Sequence, residues 1–178
     1  IHRGLALFGS ADGWVYCLRA SDGRLAWRLR PGPADRRIGV FGQLESAWPV
    51  HGSVLVSGGV AYVAAGRSSY LDGGLFACAL EPQSGKILSE KVIYTPDPRT
   101  GKMKPSDQRG AFDIAGVLSD VLVGDGRSVY MRQMRIFGQT KEESGVDRHL
   151  TSTAGFLDAS WFNRPYWSYG KNASGQLL

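Results

Sequence analysis

Three stretches hold the side chains best equipped to bind another molecule. Arg67-Ser68-Ser69-Tyr70-Leu71-Asp72-Gly73-Gly74 is a polar run ending in paired glycines. Gln43-Leu44-Glu45-Ser46-Ala47-Trp48-Pro49 sets a carboxylate near an indole. Phe156 to Trp167 puts five aromatics into twelve residues, with Arg164 among them. Arginine and aromatic side chains combine large contact area with directed hydrogen bonds, and they dominate binding surfaces for that reason. The candidate binding residues are therefore Glu45, Arg67, Tyr70, Asp72, Trp161 and Arg164. The chemistry they suggest is recognition, in a pocket or a partner patch. The competing reading is an enlarged core, with Arg67 and Asp72 merely paired across their own loop.

Covalent chemistry finds little support. The chain has no Gly-x-Ser-x-Gly elbow, Walker loop, Gly-x-Gly-x-x-Gly or His-Glu-x-x-His. His2, His51 and His149 are far apart and read as surface or hydrogen-bonded residues. Cys17 and Cys78 each sit in an apolar stretch and read as two buried thiols. Asn172-Ala173-Ser174 fits a glycosylation sequon, a pattern common by chance. No catalytic, cofactor-binding or metal-ligating residue is assigned.

Lys and Arg number 21 against 16 Asp and Glu, a net charge of +5. The densest basic cluster, Arg24, Arg28, Arg30, Arg36 and Arg37, is interrupted by Pro31-Gly32-Pro33. No nucleic-acid-binding motif accompanies it, so it reads as solvated strand faces and loops, with no nucleic-acid partner. No apolar run approaches membrane-spanning length.

Short strands must position these residues. Glycine makes up 24 of 178 residues, roughly double the usual share, which implies many tight turns. One phrase recurs as Asp12-Gly13-Trp14-Val15-Tyr16, Gly58-Gly59-Val60-Ala61-Tyr62 and Asp125-Gly126-Arg127-Ser128-Val129-Tyr130, with a looser relative at Asp72–Phe76. Each reads as a glycine turn feeding a strand. A second phrase recurs as Ser21-Asp22-Gly23-Arg24, Gln83-Ser84-Gly85-Lys86 and Arg99-Thr100-Gly101-Lys102. Here a Ser, Thr or Asp side chain bonds the local backbone, Gly takes positive φ, and a cation leads onward. Strands are expected near Ala6–Gly9, Trp14–Arg19, Leu25–Leu29, Ser53–Ser57, Val60–Ala65, Leu75–Leu80, Ile87–Tyr94, Val117–Val123, Ser128–Ile136 and Trp167–Gly170, with Thr140–Leu150 as loop.

The fold class is all-β: a partial β-propeller of about three four-stranded antiparallel blades. The whole chain reads as one such domain, with blade pieces at about 5–30, 53–94, 117–136 and, as the start of another, 166–178. Ile1-His2-Arg3-Gly4 is neither an initiator Met nor a signal peptide. A fragment of a larger propeller of about seven or eight blades is expected, its remaining blades outside this sequence.

Residues 9–27 carry a resemblance. Gly9, Asp12-Gly13-Trp14-Val15-Tyr16-Cys17-Leu18, Ser21-Asp22-Gly23-Arg24 and Trp27 are similar to the PQQ-like (pyrroloquinoline quinone type) β-propeller repeat. Gly74–Leu88 follows the same pattern but has Ser89 where the Trp would fall, and the third copy keeps the front half only. Gly42–Pro49, Arg67–Gly74 and Thr153–Tyr169 resemble stretches of such propellers from planctomycete-type bacteria. Trp27, closing one blade, is placed to pack on the glycine turn of the next, burying about 150–250 Å². The resemblance implies a bacterial, exported protein, periplasmic or in the cell envelope. Within the family, quinoprotein dehydrogenases use PQQ and Ca²⁺ to oxidise alcohols or sugars, while propellers like the outer-membrane-assembly lipoprotein bind proteins without a cofactor. No PQQ or Ca²⁺ ligand, and no adjacent cysteine pair, can be carried onto this sequence. The expectation is a non-catalytic binding or scaffold module with no cofactor and a protein or small-molecule partner. The alternative is a fragment of a PQQ- and calcium-dependent dehydrogenase.

Overall fold

A computed structural model of the chain describes residues 1–52, 54–97, 99–102, 117–132, 134–138, 150–152, 157, 167–169 and 173–175. Among these residues every regular element is a strand, and every pairing is antiparallel between sequence neighbours. The first sheet joins β1 (Leu5–Gly9), β2 (Val15–Arg19) and β3 (Leu25–Leu29). A hairpin follows, β4 (Arg37–Val40) with β5 (Gln43–Ser46). The second sheet joins β6 (Leu55–Ser57), β7 (Val60–Ala65), β8 (Leu75–Leu80) and β9 (Ile87–Ile93). The third joins β10 (Leu122–Gly124), β11 (Ser128–Met131) and β12 (Met134–Gly138). The fourth joins β13 (Leu150–Ser152), β14 (Trp167–Tyr169) and β15 (Ala173–Gly175). The described residues contain no helix long and apolar enough to cross a membrane.

The turns form for local reasons. At the second phrase, the same six-residue turn occurs three times. Arg19, Glu81 and Asp97 each donate N–H to the carbonyl five residues on, and each accepts from the glycine four residues on. Those glycines, Gly23, Gly85 and Gly101, have φ of 70°, 71° and 65°, where a Cβ would be strained. The preceding side chain, Asp22, Ser84 or Thr100, accepts from the N–H just past the glycine. Three residue types thus perform one task, because each offers a short oxygen at the same reach.

Packing is face to face. Alternate residues of a strand point to opposite faces, and the second sheet uses both. Ala61, Val63, Ala65, Cys78 and Leu80 join Val15, Leu7, Trp27 and Leu29 of the first sheet in one core cluster. Ala64, Leu75, Ala77 and Tyr62 join Leu122, Val129, Met131 and Ile136 of the third sheet in another. A sheet covered on both faces reads as apolar throughout, as β7 and β8 do.

Up-and-down order has a consequence for position. The turns β1–β2, β7–β8 and β11–β12, and the connections entering β6 and β10, all fall at one end of the stack. Backbone hydrogen bonds tie that end together: Val50 N to Ser10 O, Gly66 N to Pro49 O, and Ser69 N to Val117 O. The β2–β3, β6–β7, β8–β9 and β10–β11 turns lie at the other end.

Three expectations change. Ser128–Ile136 is not one strand but the hairpin β11–β12, reversed at Arg132, whose φ is 51°. Residues 37–40 and 43–46, where no strand was expected, form the hairpin β4–β5. The stretch 117–123 forms a strand only from Leu122; before it, Leu118 makes an isolated bridge to Ser68. Among the described residues only the second sheet has four strands, and the sheets do not close on one another.

Candidate functional site

The connected end is organised around Ser46–Val50, five consecutive buried residues. This segment passes so close to the β1–β2 turn that side chains are excluded there. A Cβ on Gly9 would lie 2.3 Å from Val50 Cγ1, and one on Gly13 would lie 2.5 Å from Ser46 Oγ. Trp48 anchors the segment: its Nε1 donates to the Asp72 carbonyl at 2.8 Å, and its ring meets Phe76 edge-on.

Two ion pairs join the β7–β8 loop to the β4–β5 hairpin region. Arg67 donates to Glu45 Oε2 at 3.2 Å and to the Ser46 carbonyl at 3.4 Å. Asp72 receives the Arg36 guanidinium, which also lies over the Trp48 ring, 5.1 Å from its centroid. Arg67 and Asp72 are therefore not paired across their own loop: each reaches instead to the chain before the second sheet. Glu45, Arg67 and Asp72 converge on this end. His51 joins them, with Nε2 3.9 Å from Glu45 Oε2. Burial pulls His51 below the ordinary histidine value, Arg67 adds to the fall and Glu45 opposes it.

Tyr70 sits in the same loop, where its N–H donates to Ser68 Oγ and burial pushes its phenol up. The loop's inner side is a buried relay. Ser69 Oγ lies 2.6 Å from Thr95 Oγ1 and accepts from Val117 N at 2.9 Å. Beyond it, Asp120 and Arg132 form a fully buried ion pair at 3.1 Å, and Asp120 Oδ1 accepts from Val121 N and Leu157 N. Trp161 and Arg164 lie outside the described residues.

Sequence reasoning missed Arg36, Trp48, His51 and the Asp120–Arg132 pair. Trp48 had a signal, an aromatic three residues after an acid in a segment already singled out. Arg36 had only its place in a basic cluster.

The repeat carboxylates have local partners. Asp12 Oδ1 accepts from Trp14 N and Oδ2 from the Tyr16 hydroxyl. Asp125 Oδ1 accepts from Arg127 N and Ser128 N, and Oδ2 from the Tyr130 hydroxyl. Burial alone would raise Asp12, but the Tyr16 hydroxyl, the Trp14 N–H and the Ser10 side chain outweigh it and hold its carboxyl below the usual range. Asp22 accepts from Arg24 N and Arg19, and Asp97 from Arg99 N and Thr100 N. Among the described residues no three His, Cys, Asp or Glu gather as metal ligands would.

Trp27 lies at the seam of the first two sheets. Its Nε1 donates to the Pro82 carbonyl at 2.9 Å, and its ring covers Gly85. Cys17 and Cys78 are free and buried at the same seam. Burial, with Glu90 nearby, pushes the Cys78 thiol up to about 12. No known protein family matches the chain, and no curated protein matches it.

Proposed function

We propose that the chain is a non-catalytic binding or scaffold module built from PQQ-like β-propeller repeats, acting in the bacterial cell envelope. Its binding surface is the connected end of the stack, where Glu45, Arg67, Tyr70 and Asp72 meet.

One observation carries this reading: the carboxylates of the repeats and of the candidate loops already have partners. Asp12, Asp22, Asp97 and Asp125 cap their own turns, and Glu45 and Asp72 hold arginines. A calcium site of the quinoprotein kind needs several oxygens converging on one point. Carboxylates distributed one per turn serve the fold instead. Loops held on a rigid sheet stack suit recognition, since the scaffold removes much of the ordering cost of binding.

The test is dye reduction by the full-length protein supplied with PQQ, Ca²⁺ and a panel of alcohols. No turnover above the protein-free control is expected. Robust reduction would replace this reading with a quinoprotein dehydrogenase.

A further inference from the structure

The first sheet matches three strands of the second pair for pair, with β1, β2 and β3 in the places of β7, β8 and β9. The Arg3-Gly4 turn into β1 has φ of 46° and 77°, and the Gly58-Gly59 turn into β7 has φ of 58° and 79°. The pair His2–Leu5 flanks the first turn as Ser57–Val60 flanks the second. The next strand of each sheet is irregular at the same place, between Cys17 and Leu18 and between Ala79 and Leu80. The turns that follow carry the same backbone bonds around Gly23 and Gly85. On this register Ala6, Phe8, Tyr16 and Leu18 stand where Ala61, Val63, Cys78 and Leu80 stand in the second sheet. Those four residues of the second sheet are buried in the core shared with the first. Their counterparts alternate with Leu7 and Val15, which join that core, and so point away from it. None of the counterparts is buried, and Phe8, stacked on Tyr16, is 43% exposed.

We propose that this outward face is the seat of another antiparallel sheet of the same repeat, supplied by the same polypeptide outside residues 1–178. The molecule itself shows the kind of occupant, because the matching face of the second sheet lies under the sheet that precedes it in sequence. A repeat of this kind cannot bury its apolar face alone and does so by stacking on its neighbour. The source follows from the connections. Strand β6 is entered from the first sheet through the buried segment Ser46–Val50. His2, ahead of the Arg3-Gly4 turn, stands in the place of Ser57, the last residue of β6. The chain therefore reaches β1 from the sheet that covers this face. The strand ending at His2 would complete the edge of β1 as β6 completes that of β7. An indole is not a requirement of such a seam: where the second sheet meets the third, Ser89 stands in the place of Trp27. The seat is a sheet face apart from the connected end, so it stands or falls separately from the binding reading.

The test places photoreactive p-benzoylphenylalanine at position 8, and separately at position 16, in the purified full-length protein. Tyr16 is the closer match in shape, so the second variant guards against a misfolded first. Irradiation is expected to give a crosslink within one polypeptide, mapping to a strand outside residues 1–178. Leu18→Cys in the same protein should be alkylated at least about tenfold more slowly than Phe41→Cys, because access governs thiol reactivity and Phe41 is 103% exposed. Crosslinks to a second polypeptide, crosslinks confined to residues 1–178, silence at both positions, or equal alkylation at positions 18 and 41 would each overturn the proposal. None of these outcomes bears on the connected end, which a probe at Tyr70 tests.

Discussion

The indole of Trp27 spans the seam between the first and second sheets, donating to the Pro82 carbonyl while its ring rests on Gly85. Two turns with the same backbone hydrogen bonds and nearly equal glycine φ differ in that contact. Gly23 has open space where a Cβ would go, but a Cβ on Gly85 would lie 2.7 Å from the Trp27 ring. Gly23→Ala should cost only the left-handed backbone strain, about 1–2 kcal/mol. Gly85→Ala should cost visibly more, and the excess should vanish in a Trp27→Ala background. Urea unfolding of Gly23→Ala, Gly85→Ala, Trp27→Ala and the Trp27→Ala/Gly85→Ala double variant measures this, and equal losses at both glycines would refute the seam contact.

Glu45 and Arg67 hold the β7–β8 loop to the hairpin from partly buried positions, 17% and 24% exposed. A double-mutant cycle with Glu45→Gln and Arg67→Met should give a coupling of roughly 1 kcal/mol. The corresponding cycle on Arg19 and Asp22, half-exposed on the first sheet, should give a smaller one.

The Asp120–Arg132 pair is fully buried. Removing either member breaks this buried pair, at a cost of about 3–5 kcal/mol. Asp120→Asn and Arg132→Met should each destabilise strongly in denaturant titrations, and the double variant should recover part of the loss. Single variants that behave like surface substitutions would contradict this.

Stability should fall in alkali because of Cys78. Its folded-state value of about 12 lies above the ordinary 9.0, so the unfolded chain ionises first. The contribution is intact below pH 9 and declines between about pH 9 and 12, by up to roughly 1.4 kcal/mol per unit. Cys78→Ala should flatten that slope, and the native thiol should resist alkylation at pH 8 until denaturant is added.

On the acid side the sign reverses at His51. Its proton is held less tightly in the fold than in the unfolded chain. Stability is therefore present above the ordinary histidine value and is lost as pH falls through the depressed one. His51→Gln should reduce the drop in urea midpoint between pH 7.5 and 5.5.

Much of the architecture was legible because it is local. Oxygen, glycine and cation at fixed spacing make the same turn three times, with partners two to five residues away. The strands at Val60–Ala65 and Leu75–Leu80 were also legible, from short runs of strand formers bounded by glycine turns. The β4–β5 hairpin was not legible, because its turn lacks the usual Asn-Gly or Asp-Gly signal and places Phe41 in the strained position instead. The turn at Arg132 was hidden likewise inside a run of strand formers.

The candidate site divides along the same line. The amino-acid order alone named Glu45, Arg67, Tyr70 and Asp72, and set each carboxylate of the repeat turns within reach of its own backbone. Which arginine meets which acid was settled only when the sheets stacked. Arg67 reaches 22 residues back to Glu45, and Arg36 reaches 36 forward to Asp72. Hydrogen bonds within a turn follow from covalent geometry. Ion pairs across a seam depend on how two sheets bury their faces, a property that no single segment carries.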